Sequence, residues 1–216
     1  MNDLNMAYDD YTKLGIKQEG LEIFVAKDAK IHLDQKKLKV SGKGNKIFLD
    51  KGAILGKMNA VRLEFIGDNN IFHLKRNSLV KRGHYRFSGS EGIINIGIGT
   101  TIGNAYFLCE DSTKIVLGKD CMLSYDVEFR TTDAHSLIDG KSLKIINLPN
   151  DIIIGDHVWI GKGVCLLQGI EITNNVVVGT RALVTKSFTQ ENVAIAGVPA
   201  KVVRENVLWE RTPPLK

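Results

Sequence analysis

Apolar residues recur with a period of six from Ile154 to Thr189. The first positions of six consecutive hexapeptides are Ile154, Ile160, Leu166, Ile172, Val178 and Val184. The fifth positions are Val158, Val164, Ile170, Val176, Ala182 and Phe188. All twelve are apolar in a chain that is 44% hydrophobic. In one fixed register, chance gives that roughly once in twenty thousand trials. Six fits neither the 3.6 of a helix nor the alternation of a simple strand. It predicts an all-β chain, a parallel β-helix of short strands and turns with about eighteen residues per coil.

In such a coil the first position points inward and stacks on its counterpart at the strand spacing. Branched Ile and Val suit that surface. Gly155, Gly161 and Gly179 follow three of the first positions, where the chain bends sharply. Leu167, Thr173 and Thr185 stand at the equivalent places in the other three. Earlier segments open units in the same way at Ile96-Gly97, Ile102-Gly103, Leu117-Gly118 and Leu123-Ser124. Leu49-Asp50, Leu55-Gly56 and Ile66-Gly67 read as worn versions. The predicted organisation is an arm over 1–20, one solenoid domain over 21–189 and a tail over 190–216. The arm reads as polar with a short helix. The tail carries a short helix around Val202–Trp209, capping a sheet edge that otherwise invites pairing.

The register holds up to Phe129 and resumes at Ile154. The interruption, 130–153, predicts a protruding loop, and insertions in repeat proteins gather on one face and carry function. It contains His135, flanked by Asp133 and Asp139. An unperturbed imidazole titrates near neutrality and can take a proton there. Of the other histidines, His32 and His73 sit in strand-like stretches, His84 in a basic segment and His157 at a repeat corner. His135 alone stands in a polar loop beside carboxylates.

Composition adds limits. No apolar run reaches the roughly eighteen residues of a membrane span, and the polar N-terminus does not read as a secretory signal. Cys109, Cys121 and Cys165 show neither metal nor disulfide spacing, which suggests a bacterial-type cytoplasm and a space-filling role. The net charge of +5 is mild. Basic residues gather in Lys75–Arg86 and in the tail at Lys201, Arg204 and Arg211. No nucleic-acid motif accompanies them. An anionic small molecule or acidic glycan fits better, with Lys81, Arg82, His84 and Arg86 as acceptor-binding candidates, against the plainer reading of a solvated face.

Four segments then carry a family resemblance: GKDCMLSYDVEFRTTDAHSLID (118–139), DIIIGDHVWIGKGV (151–164), GTRALVTKSF (179–188) and AGVPAKVVRENVLW (196–209). From about Ile94 to Trp209 the chain resembles the hexapeptide-repeat acyltransferases. It looks most like the bacterial enzymes that O-acetylate capsule and O-antigen sugars, the polysialic acid O-acetyltransferases among them. The first 90 residues match none of the family's motifs. The resemblance implies a left-handed solenoid, a homotrimer with sites between columns, and acetyl-CoA as co-substrate with no metal. It assigns the general base to His135 and a place beside histidine and thioester to Trp159. The backbone N–H of Lys162 falls where relatives hold the acyl oxygen. Thr180, Thr185 and Lys186 fall along the coenzyme A arm, and Lys201 and Arg204 near its phosphates. Asp133, counted on the coenzyme side, either orients His135 or solvates the loop.

The expected activity is acetyl transfer to a sugar hydroxyl of a surface polysaccharide, probed against three rivals. An N-acetyltransferase acting on an amino-sugar nucleotide would use the same coenzyme and base. A bare structural β-helix would need no His-bearing insertion. A zinc carbonic anhydrase on this fold needs paired histidines, and neither 130 nor 140 is histidine.

Overall fold

A computed structural model describes residues 11–15, 18–58 and 60–214. The chain winds as a parallel β-solenoid of about 7 turns, each turn crossing three sheets in the same order. The first sheet runs through Leu21–Ala26, Asn45–Leu49, Ile71–Leu74, Ile93–Ile96, Lys114–Leu117, Ile152–Ile154 and Ile170–Ile172. The second runs through Lys30–Ile31, Ile54–Leu55, Leu79–Val80, Thr101–Ile102, Met122–Leu123, Trp159–Ile160, Val177–Val178 and Val193–Gly197. The third runs through Leu38–Ser41, Val61–Ile66, Gly83–Ser88, Ala105–Glu110, Val127–Arg130, Cys165–Leu166 and Leu183–Val184. Three faces and three vertices result.

All twelve periodic positions between Ile154 and Phe188 are buried. They belong to one continuous apolar column that begins at Leu21. On the third sheet, aromatic rings fill it: Tyr85 and Phe107 lie 4.9 Å apart and Phe107 and Phe129 4.4 Å, ring over ring. Each coil covers the edge of the one before, so stability is close to a sum over neighbours. Close approach is enforced at the corners. A Cβ on Gly97 would meet the carbonyl oxygen of Gly118 at 2.0 Å, so only glycine fits.

Four expectations change. Eighteen residues per coil holds where Ile152 pairs with Ile170. Earlier coils are longer, with Lys46 paired to Ile71, Ile71 to Ile93 and Ile93 to Lys114. The extra residues lengthen third-sheet strands to six, as in Val61–Ile66 and Gly83–Ser88. This moves the inward position to Phe65, and Ile66 turns outward, half-buried, so Ile66-Gly67 opens no unit.

Neither terminal helix forms among the described residues. Tyr11–Lys13 is a strand antiparallel to Phe24–Ala26; residues 1–10 of the expected arm lie outside the described residues. The stack continues past residue 189, because Val193–Gly197 joins the second sheet. Ala200–Glu205 then folds back on it antiparallel. The β-branched Val202 and Val203 gain an open edge to pair with, which outweighs a marginal isolated helix. No helix of the described residues is long and apolar enough to cross a membrane.

Candidate active site

The insertion leaves the solenoid at the vertex between third and first sheets. Arg130 still pairs with Leu108 in the ladder, and Thr131 is buried there. Its Oγ1 accepts from the Glu110 N–H at 2.8 Å. Asn150 returns by donating its N–H to the Thr131 carbonyl at 2.9 Å. The excursion is therefore 132–149, shorter at both ends than 130–153. Within it Ile138 and Ile145 bridge antiparallel. Leu137, Ile138, Leu143, Ile145, Ile146 and Leu148 are all exposed.

His135 is exposed in this loop. Its main chain is fixed although its ring is open. Thr132 Oγ1 accepts from the Ala134 N–H at 3.0 Å, and Ala134 takes a left-handed backbone with φ of 64°. Asn147 does most of the tying. Its Nδ2 donates to the His135 carbonyl at 2.9 Å and to Asp133 Oδ2 at 2.8 Å, and its Oδ1 accepts from the Leu137 N–H at 2.7 Å. Gln168 Nε2, on the solenoid, donates to the same Asp133 oxygen at 3.3 Å. So the Asp133 carboxylate anchors the loop to its vertex and is engaged by amides. Sequence reading missed Asn147 and Gln168. The available signal was an amide near the end of an insertion whose start carries an Asp, and that is too common a pattern to single out.

Trp159 stands on the second sheet with 39% of its surface exposed. It is flanked in the ladder by Met122 and Val177. Trp209 from the tail lies 6.1 Å away at 45°. Lys162 and Thr180 are exposed at the next vertex, between second and third sheets, one coil apart. The Lys162 side chain reaches Asp126 at 3.6 Å. Lys201 and Arg204 are exposed on the terminal strand of the second sheet, and neither has an ion pair among the described residues. Thr185 and Lys186 follow the third-sheet strand Leu183–Val184, at the vertex of the insertion, with Lys186 over the Phe188 ring at 5.7 Å.

The candidates thus fall into two groups within one chain. His135, Asp133, Thr185 and Lys186 gather at the vertex between third and first sheets. Trp159, Lys162, Thr180, Lys201 and Arg204 gather on the second face and its border with the third. In a triangular column a vertex faces away from the opposite side, so the fold does not bring these groups together.

The basic segment is more balanced than its composition suggests. Lys81 and Arg82 are exposed at the vertex between second and third sheets. His84 and Arg86 lie on the third face, two strands from Val127–Arg130. There Glu64, only 2% exposed, receives Arg62 at 2.7 Å and Arg86 at 3.1 Å, with His84 at 3.5 Å. Burial pushes the Glu64 carboxyl up, but Arg62, His84 and Arg86 outweigh it and hold the group below the ordinary range. Burial likewise holds the His84 imidazole low, against the pull of Glu64. Arg86 is therefore committed to a counter-ion. A groove of about 520 Å³ beside it is lined by Arg82, His84, Asn104, Tyr106, Asp126 and Glu128. Of the thiols, Cys109 and Cys121 are buried and pushed up to about 12 and about 11 by burial.

No family model matches this chain. Among curated proteins, the polysialic acid O-acetyltransferase of Neisseria meningitidis is 37% identical, over 71% of this chain and 81% of that protein. The polysialic acid O-acetyltransferase of Escherichia coli O1:K1 / APEC is 35% identical over 64% of this chain, which spans 44% of that longer relative. Among solved structures, the polysialic acid O-acetyltransferase OatWY superposes with a TM-score of 0.72 at 31% identity, covering 87% of this chain and 90% of that one. The solenoid, its interruption at 132–149 and these matches define an acetyltransferase of the hexapeptide-repeat class. The chain belongs to the family of sugar O-acetyltransferases that contains the polysialic acid O-acetyltransferases.

Proposed function

We propose that the protein transfers the acetyl group of acetyl-CoA to a hydroxyl of a bacterial surface polysaccharide, a capsule or O-antigen glycan of acidic character, in the cytoplasm. The observation that carries this reading is the open ring of His135 on a loop whose main chain Asn147 and Asp133 hold fixed. A base must be free at its ring and immobile at its backbone.

His135 accepts the proton of the acceptor hydroxyl as that oxygen attacks the thioester carbonyl, a service typically worth about 10²–10⁴-fold. The Lys162 N–H, in the turn after Trp159–Ile160, donates to the oxygen on which charge develops; one such preorganised donor is worth about 10²–10³-fold. His135 then returns its proton to the departing coenzyme thiolate. Trp159 packs beside the thioester. Thr180, Thr185 and Lys186 line the coenzyme arm, and Lys201 and Arg204, which have no ion pair among the described residues, meet its phosphates. Lys81 and Arg82 steer an anionic acceptor.

Such a site needs a second copy of the chain. The His135 vertex of one column meets the Trp159 face of the next in a closed ring, and we propose three copies. The six exposed apolar residues of the insertion are buried in that contact; exposed apolar patches of this kind mark interaction surfaces.

The test is complementation. His135→Ala and Trp159→Ala are each expected to lower turnover at least about 10²-fold with unchanged circular dichroism. Mixed, unfolded and refolded together, they regain about a quarter of the sites if each site takes one residue from each of two copies. No recovery places both residues in one chain and overturns the shared site. Full turnover by folded His135→Ala removes it as base. Preference for amino-sugar nucleotides over polymeric glycans would favour N-acetylation.

A further inference from the structure

The segment after Glu205 runs back along the vertex between first and second sheets. Each coil turns this vertex through a residue in the left-handed region: Gly99 (φ 68°), Asp120 (52°), His157 (53°), Asn175 (58°) and Asn192 (57°). Glycine, Asn and Asp are ordinary there. His157 is the exception, and its ring is fully engaged.

His157 Nδ1 lies 2.7 Å from Asp120 Oδ2, and its Nε2 lies 3.1 Å from the Trp209 carbonyl oxygen. The two rings stack at 4.1 Å and 12°. The Trp209 indole N–H donates to the His157 carbonyl at 2.9 Å. Each of these residues therefore binds the other's main chain with its own side chain.

Two residues on, Arg211 ends the run. Its Nε donates to Asp120 Oδ1 at 2.7 Å, Nη1 to Thr101 Oγ1 at 2.9 Å, and Nη2 to the carbonyls of Cys121 at 2.9 Å and Gly99 at 3.3 Å. Asp120 holds His157 with one oxygen and Arg211 with the other. At the upper end, the Val207 N–H donates to the Asn192 carbonyl at 2.8 Å. Residues 207–211 thus staple the coils from Gly99 to Asn192.

This effort is larger than covering an edge requires, and its product is a buried Trp209, 7% exposed, set 6.1 Å from Trp159. Trp159 sits on a strand of two residues with Met122 and Val177 for neighbours. A large ring half in solvent on so short a support is free to change rotamer unless something backs it. Trp209 is that backing.

We infer that residues 207–211 form a strap that positions Trp159 for acetyl transfer, with Trp209 and Arg211 as positioning residues. The inference rests on the reading of Trp159 as part of the transfer site. A site whose supporting residues are loose loses rate, because orientation supplies much of the acceleration.

The experiment separates the strap from the enzyme reading. The chain has two tryptophans, so Trp209→Phe leaves Trp159 as the sole indole emitter. In that background, Arg211→Ala is expected to raise acrylamide quenching of Trp159 at least twofold, and Arg211→Lys by less, since a lysine keeps the charge toward Asp120 although it lacks the fork. In the otherwise native chain, Arg211→Ala is expected to lower kcat about 10-fold while KM for acetyl-CoA moves less than twofold, well below the melting temperature. Unchanged quenching and unchanged kcat, with a lowered melting temperature, would make the strap a staple only and overturn the inference. If Arg211→Ala does not fold, Arg211→Lys and Asp120→Asn are read in the same two assays. If the native chain transfers no acetyl group to any glycan, the enzyme reading fails, and the quenching result still decides whether the strap holds Trp159.

Discussion

Asn147 holds His135 by its main chain, its Nδ2 donating to the His135 carbonyl at 2.9 Å while also reaching Asp133 at 2.8 Å. The imidazole is left open by this arrangement. Within one chain the apolar residues of this loop stay exposed, so there its order depends on a few hydrogen bonds.

The first prediction follows. Asn147→Ala removes three of those bonds from an exposed loop, so the melting temperature should change by only a few degrees. Turnover should fall about 10-fold, because a base displaced by an ångström loses orientation. Asn147→Asp keeps the acceptor for Leu137 but adds a charge beside Asp133, and should be as slow. Initial rates and calorimetry on the same samples check this; a large loss of stability with normal kcat would make Asn147 structural.

Lys201 and Arg204 carry no counter-ion among the described residues. Charge reversal at either should raise KM for acetyl-CoA more than it lowers kcat, since phosphate contacts persist from ground state to transition state. Steady-state kinetics decide it, and an unchanged KM in both variants removes the terminal strand from coenzyme binding.

The acceptor prediction is narrowed by the Glu64 network. Arg86 shares the Glu64 carboxylate with Arg62, so its charge is only partly offset and most of the steering falls to the exposed Lys81 and Arg82. Exposed charges are screened over about 8 Å at physiological ionic strength. Acetylation of a long acidic glycan should fall steeply with salt, and that of a short neutral sugar should not. The Lys81→Ala, Arg82→Ala double variant should flatten the dependence. Identical salt responses for both acceptors would point to a small or neutral sugar.

Glu64 gives the pH prediction. Its folded-state carboxyl is held below the ordinary value of about 4.3. A depressed carboxyl contributes stability above the unfolded value, and that contribution is lost as pH falls through the folded one. Glu64→Gln should therefore lower the melting temperature clearly at pH 6 and progressively less below pH about 4. A difference constant across pH 2–7 would mean that packing, not charge, sets the role of Glu64.

The period of six in the last coils was enough to determine a parallel column and which side chains fill it, because each hexapeptide turns its first and fifth residues inward. It also exposed the insertion, since a break in so strict a register is visible without coordinates. The earlier coils were less legible. Their longer third-sheet strands shift the register, and only the ladder partner, as with Phe65 inward and Ile66 outward, reveals which residue turns in. Tertiary structure alone decided that Ala200–Glu205 is a strand, because an open sheet edge outweighed local preference. It alone separated His135 from Trp159 onto opposite sides of the column. The contacts of Arg211 and Trp209 were likewise illegible in sequence, although both residues stood out in the tail: their partners lie up to 112 residues away, and hydrogen bonds across coils leave no period to read.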